Sequence, residues 1–139
     1  MFTAKPLFKW LFFIFVGLVL LSFLVINIYS QNEKESYRHH IVTCQLISLS
    51  RALNKYHADT GTYPEAPGGR LLWGSVDVEF SDCRGKFERV GEFISDPWGD
   101  EIIFEKLSGE QFEVYSENSE FTRLLLSGGS VIGIGENKK

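Results

Sequence analysis

Residues 42–64 read VTCQLISLSRALNKYHADTGTYP, and the way this stretch lies decides the fold. Val42, Leu46, Leu49, Leu53 and Tyr56 recur at alternating steps of four and three, the spacing that lines up side chains on one face of an α-helix. Arg38, Gln45, Arg51, Asn54 and Lys55 fall largely to the sides of that stripe. Asp59-Thr60-Gly61 marks the stop, because Gly61 can take the left-handed conformation that ends helices, and Pro64 follows. Neither Gly nor Pro occurs between residues 33 and 58, which predicts a helix over that range with its stripe laid on the rest of a domain. Residues 33–40 are mostly polar and predict a solvent-bridging start. His39 and His40 point about 100° apart on a helix, so they read as an exposed pair rather than as metal ligands. His57, near the helix end, suits the negative pole of the helix dipole.

Upstream, residues 10–29 are apolar apart from Ser22 and Asn27. About 20 such residues are what a helix needs to cross roughly 30 Å of hydrocarbon. Lys5 and Lys9 precede the run, whereas Glu33, Lys34, Glu35 and Arg38 cancel after it, so the positive-inside bias keeps residues 1–9 cytoplasmic and exports residues 30–139. Trp10 and Tyr29 sit where interfacial aromatics anchor a span. A cleaved signal peptide would have a shorter apolar region and small residues at its end, and Ile28-Tyr29-Ser30 is a poor cleavage site. No breaker separates residues 28 and 58, which allows anchor and helix to be one rod.

The chain has 139 residues, leaving a little over a hundred beyond the anchor, enough for one domain. Net charge is -4 and no basic cluster follows the anchor, which excludes a phosphate-tracking surface and nucleic acid as a partner. Cys44 and Cys83 lie beyond the anchor. Either they pair in an oxidising compartment, or they stand as two free thiols; their spacing fits no metal site.

Residues 59–95 read mainly as loop, with an alternating Val76-Asp77-Val78-Glu79-Phe80 that predicts a short strand. Residues 101–107 and 111–116 flank the turn Ser108-Gly109-Glu110 and predict a β-hairpin whose Phe104, Phe112 and Val114 share a buried face. Residues 121–126 and 131–134, around Gly128-Gly129, add one or two strands. The tail, residues 136–139, is polar. The fold class is therefore α+β: an amphipathic helix across a small antiparallel sheet of three to four strands over residues 96–135.

Two motifs carry a family resemblance. The helix ends Tyr56-His57-Ala58-Asp59-Thr60-Gly61-Thr62-Tyr63-Pro64, and Asp96-Pro97-Trp98-Gly99 later introduces the hairpin. Behind an N-terminal membrane helix, this order resembles the pseudopilins of bacterial type II secretion systems, in particular the major pseudopilin, over roughly residues 53–116. The resemblance implies a pilin-like fold and a non-enzymatic structural role in a secretion or pilus-type apparatus. It also implies anchorage in the bacterial inner membrane with a periplasmic or extracellular domain, and pilin-like or secretion-apparatus subunits, or further copies of itself, as partners. The alternative is a membrane-tethered periplasmic binding module that uses the same fold.

Read physically, both motifs are folding punctuation. Tyr63 can lay its ring over the helix end, Pro64 stops regular structure, Pro97 holds Asp96 extended, Trp98 can cover one end of the core and Gly99 frees the turn. The chain departs from the family where residues before Gly61 carry no peptidase-type leader Gly (Gly17 lies inside the apolar run) and no acid precedes Glu33. That predicts a subunit not processed by prepilin peptidase. Major pseudopilins bind calcium in the loop after the hairpin; here that loop is Ser116-Glu117-Asn118-Ser119-Glu120, so Glu117 and Glu120 are weak calcium candidates in what reads as a solvated acidic loop. No cofactor is expected otherwise, and no pattern nominates an active site.

Overall fold

The computed structural model describes residues 5–80, 83, 91–119 and 123–135. Helix α1 spans Lys5–Thr60; strands β1 (Ile103–Ser108), β2 (Gln111–Tyr115), β3 (Arg123–Ser127) and β4 (Ser130–Gly135) follow, with a short 3-10 turn at Pro67–Gly69 before them. The chain divides into two units, Met1–Tyr37 and Arg38–Lys139.

Within the first unit the described residues are all helical, and side chains from Lys9 to Tyr29 are exposed around the whole circumference. The described side chains of this run are apolar on every side of the helix apart from Lys9, Ser22 and Asn27. The helix is long and apolar enough to cross a membrane. The two uncharged polar side chains bond back to their own helix, Ser22 Oγ to the Leu18 carbonyl at 2.8 Å and Asn27 Nδ2 to the Phe23 carbonyl at 2.9 Å. Those bonds satisfy the two donors within the helix itself.

The second unit has the α+β architecture expected. Val42, Leu46, Leu49 and Leu53 are fully buried and Tyr56 is half-buried against the same core, so the stripe faces inward as its spacing requires. Each buried aliphatic side chain stabilises by about 1.5–3 kcal/mol relative to exposure. The opposite wall comes from Phe104, Val114, Leu124 and Leu126 on the sheet, with Leu71, Val76, Phe80, Ile94 and Ile102 between. The helix ends where the glycine allows it: Gly61 has φ +76° and donates its N–H to the His57 carbonyl at 2.7 Å.

The sheet is a meander in the order β1-β2-β3-β4, all antiparallel. Phe104 pairs with Val114, and Val114 with Leu124, which lines up one inward row; Phe112 and Leu126 form the next. β3 and β4 are joined by Gly128 and Gly129, both at positive φ, as a two-residue hairpin turn matching strand twist requires. On the other face the register sets Glu105 opposite Glu113, an unfavourable like-charge pair. Arg123 relieves it by pairing with Glu113 at 2.6 Å and lying 3.9 Å over the Tyr115 ring, while the Tyr115 hydroxyl donates to Glu105 at 3.2 Å.

Three expectations are corrected. Residues 76–80 form no strand among the described residues, and Val76 and Phe80 pack on the core. Gln45 is not at the side but wholly buried, because the segment around Ser95 closes over it and accepts its Nε2–H at 2.6 Å. His39 is half-buried with its ring 5.0 Å from that of Trp98, while His40 is exposed. The loop before the sheet is tied to the core, since Ile94 N–H donates to the Leu71 carbonyl and Ile102 N–H to the Ile94 carbonyl, and all three side chains belong to the core. Residues 121–122 and the tail, 136–139, lie outside the described residues.

Candidate functional site

The Asp96-Pro97-Trp98-Gly99 motif is the most heavily bonded polar feature of the second unit. Pro97 restricts Asp96 to extended geometry and Gly99 takes φ +97°, so the chain doubles back and Asp96 N–H donates to the Asp100 carbonyl at 2.8 Å. Inside this turn Asp96 Oδ1 accepts three backbone N–H groups, from Trp98 and Gly99 at 2.9 Å each and from Asp100 at 3.0 Å. Its other oxygen, Oδ2, reaches across to the end of β2. There it accepts from Ser116 Oγ at 2.6 Å and from Asn118 Nδ2 at 3.1 Å, and Asn118 Nδ2 also donates to Asp100 Oδ2 at 2.7 Å. Asp96 is only 6% exposed, and a carboxylate that far from water needs this many donors. The turn that starts the sheet and the loop that follows its first hairpin are thus tied by one side chain.

Ser116 and Asn118 lie in a stretch that reads from its sequence as a solvated acidic loop. What carries their role is a donor pair two residues apart, a pattern without distinctive signal until Asp96 is known to face it. Glu117 is exposed, and Glu120 lies outside the described residues. Among the described residues no group of three or more His, Cys, Asp or Glu side chains is arranged to hold a metal ion.

The second motif closes the opposite end of the core. Tyr63 packs its ring 4.7 Å from His57, 4.6 Å from Phe112 and 6.0 Å from Phe104, and its hydroxyl accepts the Gly129 N–H at 3.1 Å. Burial raises the Tyr63 pKa, the Gly129 N–H lowers it in part, and the Glu110 charge adds to the rise. Tyr56 is half-buried, Pro64 buried, and Asp59 and Gly61 exposed. Between the Pro64–Gly69 segment and the β1–β2 hairpin lies a cleft of about 460 Å³, walled by Ala66, Gly69, Lys106, Phe112 and Tyr115. Burial, followed by the Glu105 charge and hydrogen bond, raises the Tyr115 pKa there, against the opposing pull of Arg123.

Cys44 and Cys83 form a disulfide with their Cα atoms 5.6 Å apart. It closes a loop of sequence separation 39, which contributes about 4 kcal/mol on the chain-entropy model.

The class these features define is an α+β protein with a long apolar N-terminal helix and a small four-stranded antiparallel sheet. No protein-family model matches the chain, and no curated protein or solved structure matches it.

Proposed function

We propose that this protein is a non-enzymatic, pilin-like subunit or accessory of a type II secretion or pilus-type apparatus, held in a bacterial inner membrane by its N-terminal helix. In this reading residues 1–9 are cytoplasmic, the second unit is periplasmic or extracellular, and the chain is not processed by prepilin peptidase. The domain acts by presenting its surface to like or related subunits at the membrane.

The observation that carries the reading is one helix with two burial patterns. Its first part is apolar all round and uncovered, and its last part buries a single stripe on a sheet entered through the Asp96–Gly99 turn. The motifs at residues 56–64 and 96–99 supply the family to which that layout is assigned.

Affinity purification of the full-length protein in mild detergent, from cells expressing such an apparatus, tests it. Secretion or pilus subunits in the eluate support the reading, and their absence removes it. The tethered binding module remains the second reading, favoured by the cleft of about 460 Å³ beside β1. A small ligand co-purifying with the protein and lost on Phe112→Ala would select that one.

A further inference from the structure

The two sulfurs of the disulfide sit in unlike surroundings. Cys44 is half-buried on the helix, whereas Cys83 is 4% exposed. A groove of about 320 Å³ opens on the helix face and is lined by His40, Thr43, Cys44, Ile47, Ser48 and Arg51. Its lining reaches Cys44 and, among the described residues, carries no carboxylate, while Arg51 gives it a positive charge. Asp77 and Glu79 line a neighbouring cleft that Arg51 also borders. Ser48 Oγ, at the edge of the groove, lies 3.7 Å from Cys83 Sγ. A disulfide sulfur has no hydrogen to give, so the hydroxyl is the donor.

Thiol–disulfide exchange is selective for such differences. The attacking thiolate needs access to one sulfur, and the other must carry away the electron pair, which it does faster when a donor stabilises the departing thiolate. We propose that Cys44 is the exchange sulfur of this disulfide and Cys83 the leaving and resolving one, with small thiols or a dithiol oxidoreductase as the co-reactant. A thiolate RS⁻ enters the groove and bonds to Cys44 Sγ. The Cys44–Cys83 bond breaks, and its electron pair goes to Cys83 Sγ, which accepts the Ser48 hydrogen bond and then a proton from water. A second thiolate attacks the sulfur of R in the Cys44–S–S–R mixed disulfide, releasing RSSR and the Cys44 thiolate, which takes up a proton; the two RSH supply the two electrons. Oxidation by RSSR retraces the same path, so Cys83 closes the bond by attacking Cys44. The assignment depends on the sulfur environments alone and stands whether or not the protein is pilin-like.

Full-length protein in detergent, treated with reduced glutathione, quenched with acid at early times and mapped by peptide mass spectrometry, tests it. Glutathione is expected on Cys44 in about tenfold or greater excess over Cys83, as the access and leaving-group differences require. An even split, a preference for Cys83 or no adduct overturns the assignment. In the Ser48→Ala protein the initial rate of reduction should fall several-fold with glutathione still on Cys44; an unchanged rate removes Ser48 from the mechanism.

Discussion

Replacing Asp96 with Asn tests whether one carboxylate holds the entry of the sheet. The side chain keeps its size, and its amide oxygen can still face the N–H groups of Trp98, Gly99 and Asp100. Those three bonds lose their charge assistance, which separates about 1.5–3 kcal/mol for a charged acceptor from about 1 for a neutral one. The new amide NH₂ then stands where Oδ2 was. Ser116 can rotate to accept from it, but Asn118 Nδ2, 3.1 Å away, is itself a donor and meets a second donor. Together these changes destabilise the second unit by about 3–4 kcal/mol, a large fraction of the 5–15 kcal/mol typical of a domain.

Urea unfolding of the full chain in mild detergent, followed by tryptophan fluorescence, measures the loss. Amide exchange at Trp98, Gly99 and Asp100 should accelerate in parallel. Adding Asn118→Ala removes the opposed donor, so the double variant should lose about 1–2 kcal/mol less than the two single losses summed. A loss below about 0.5 kcal/mol for Asp96→Asn, or strict additivity in the pair, would refute the role given to this carboxylate.

Other consequences are open to measurement. Gly129→Ala should cost about 1–3 kcal/mol in thermal or urea unfolding, since Gly129 has φ +78° and an added Cβ would stand 3.1 Å from His57 Nδ1. Joint Cys44→Ser and Cys83→Ser substitution should lower stability by about 4 kcal/mol at unchanged helix content by circular dichroism, the loop-closure value for this separation. Burial first, and then the charges of Glu110 and Glu105, raise the pKa values of Tyr63 and Tyr115 in the folded state. Their contribution is therefore complete below the unfolded value near 10 and is lost as pH rises from there through the raised folded values. Thermal melts should fall across that alkaline window, and Tyr115→Phe should flatten the fall; an unchanged slope would argue against it.

Much of the molecule follows from short-range pattern. The apolar run at residues 10–29 needs no partner to be recognised, because its meaning depends only on length and on the cost of polar groups in hydrocarbon. The stripe from Val42 to Tyr56 declares a buried face through a period of 3.6, and Gly61 declares its end through the backbone freedom of glycine. The hairpins likewise show themselves in alternation and in Gly109 and Gly128-Gly129.

Elsewhere the same kind of pattern was misleading. Val76 to Phe80 alternates like a strand, yet strand formation needs a second backbone in register, and among the described residues these five form none. Gln45 has the composition of a flanking position and lies in the core because a segment fifty residues later covers it. The two ends of the molecule's chemistry are alike in this respect. Asp96 meets Ser116 and Asn118, and Cys44 meets Cys83, only after the sheet and the intervening chain have packed on the helix. Periodicity and turn residues act over a few bonds and can be read from the order of residues; the choice of partner for a carboxylate, an amide or a thiol depends on distances that tertiary packing alone creates.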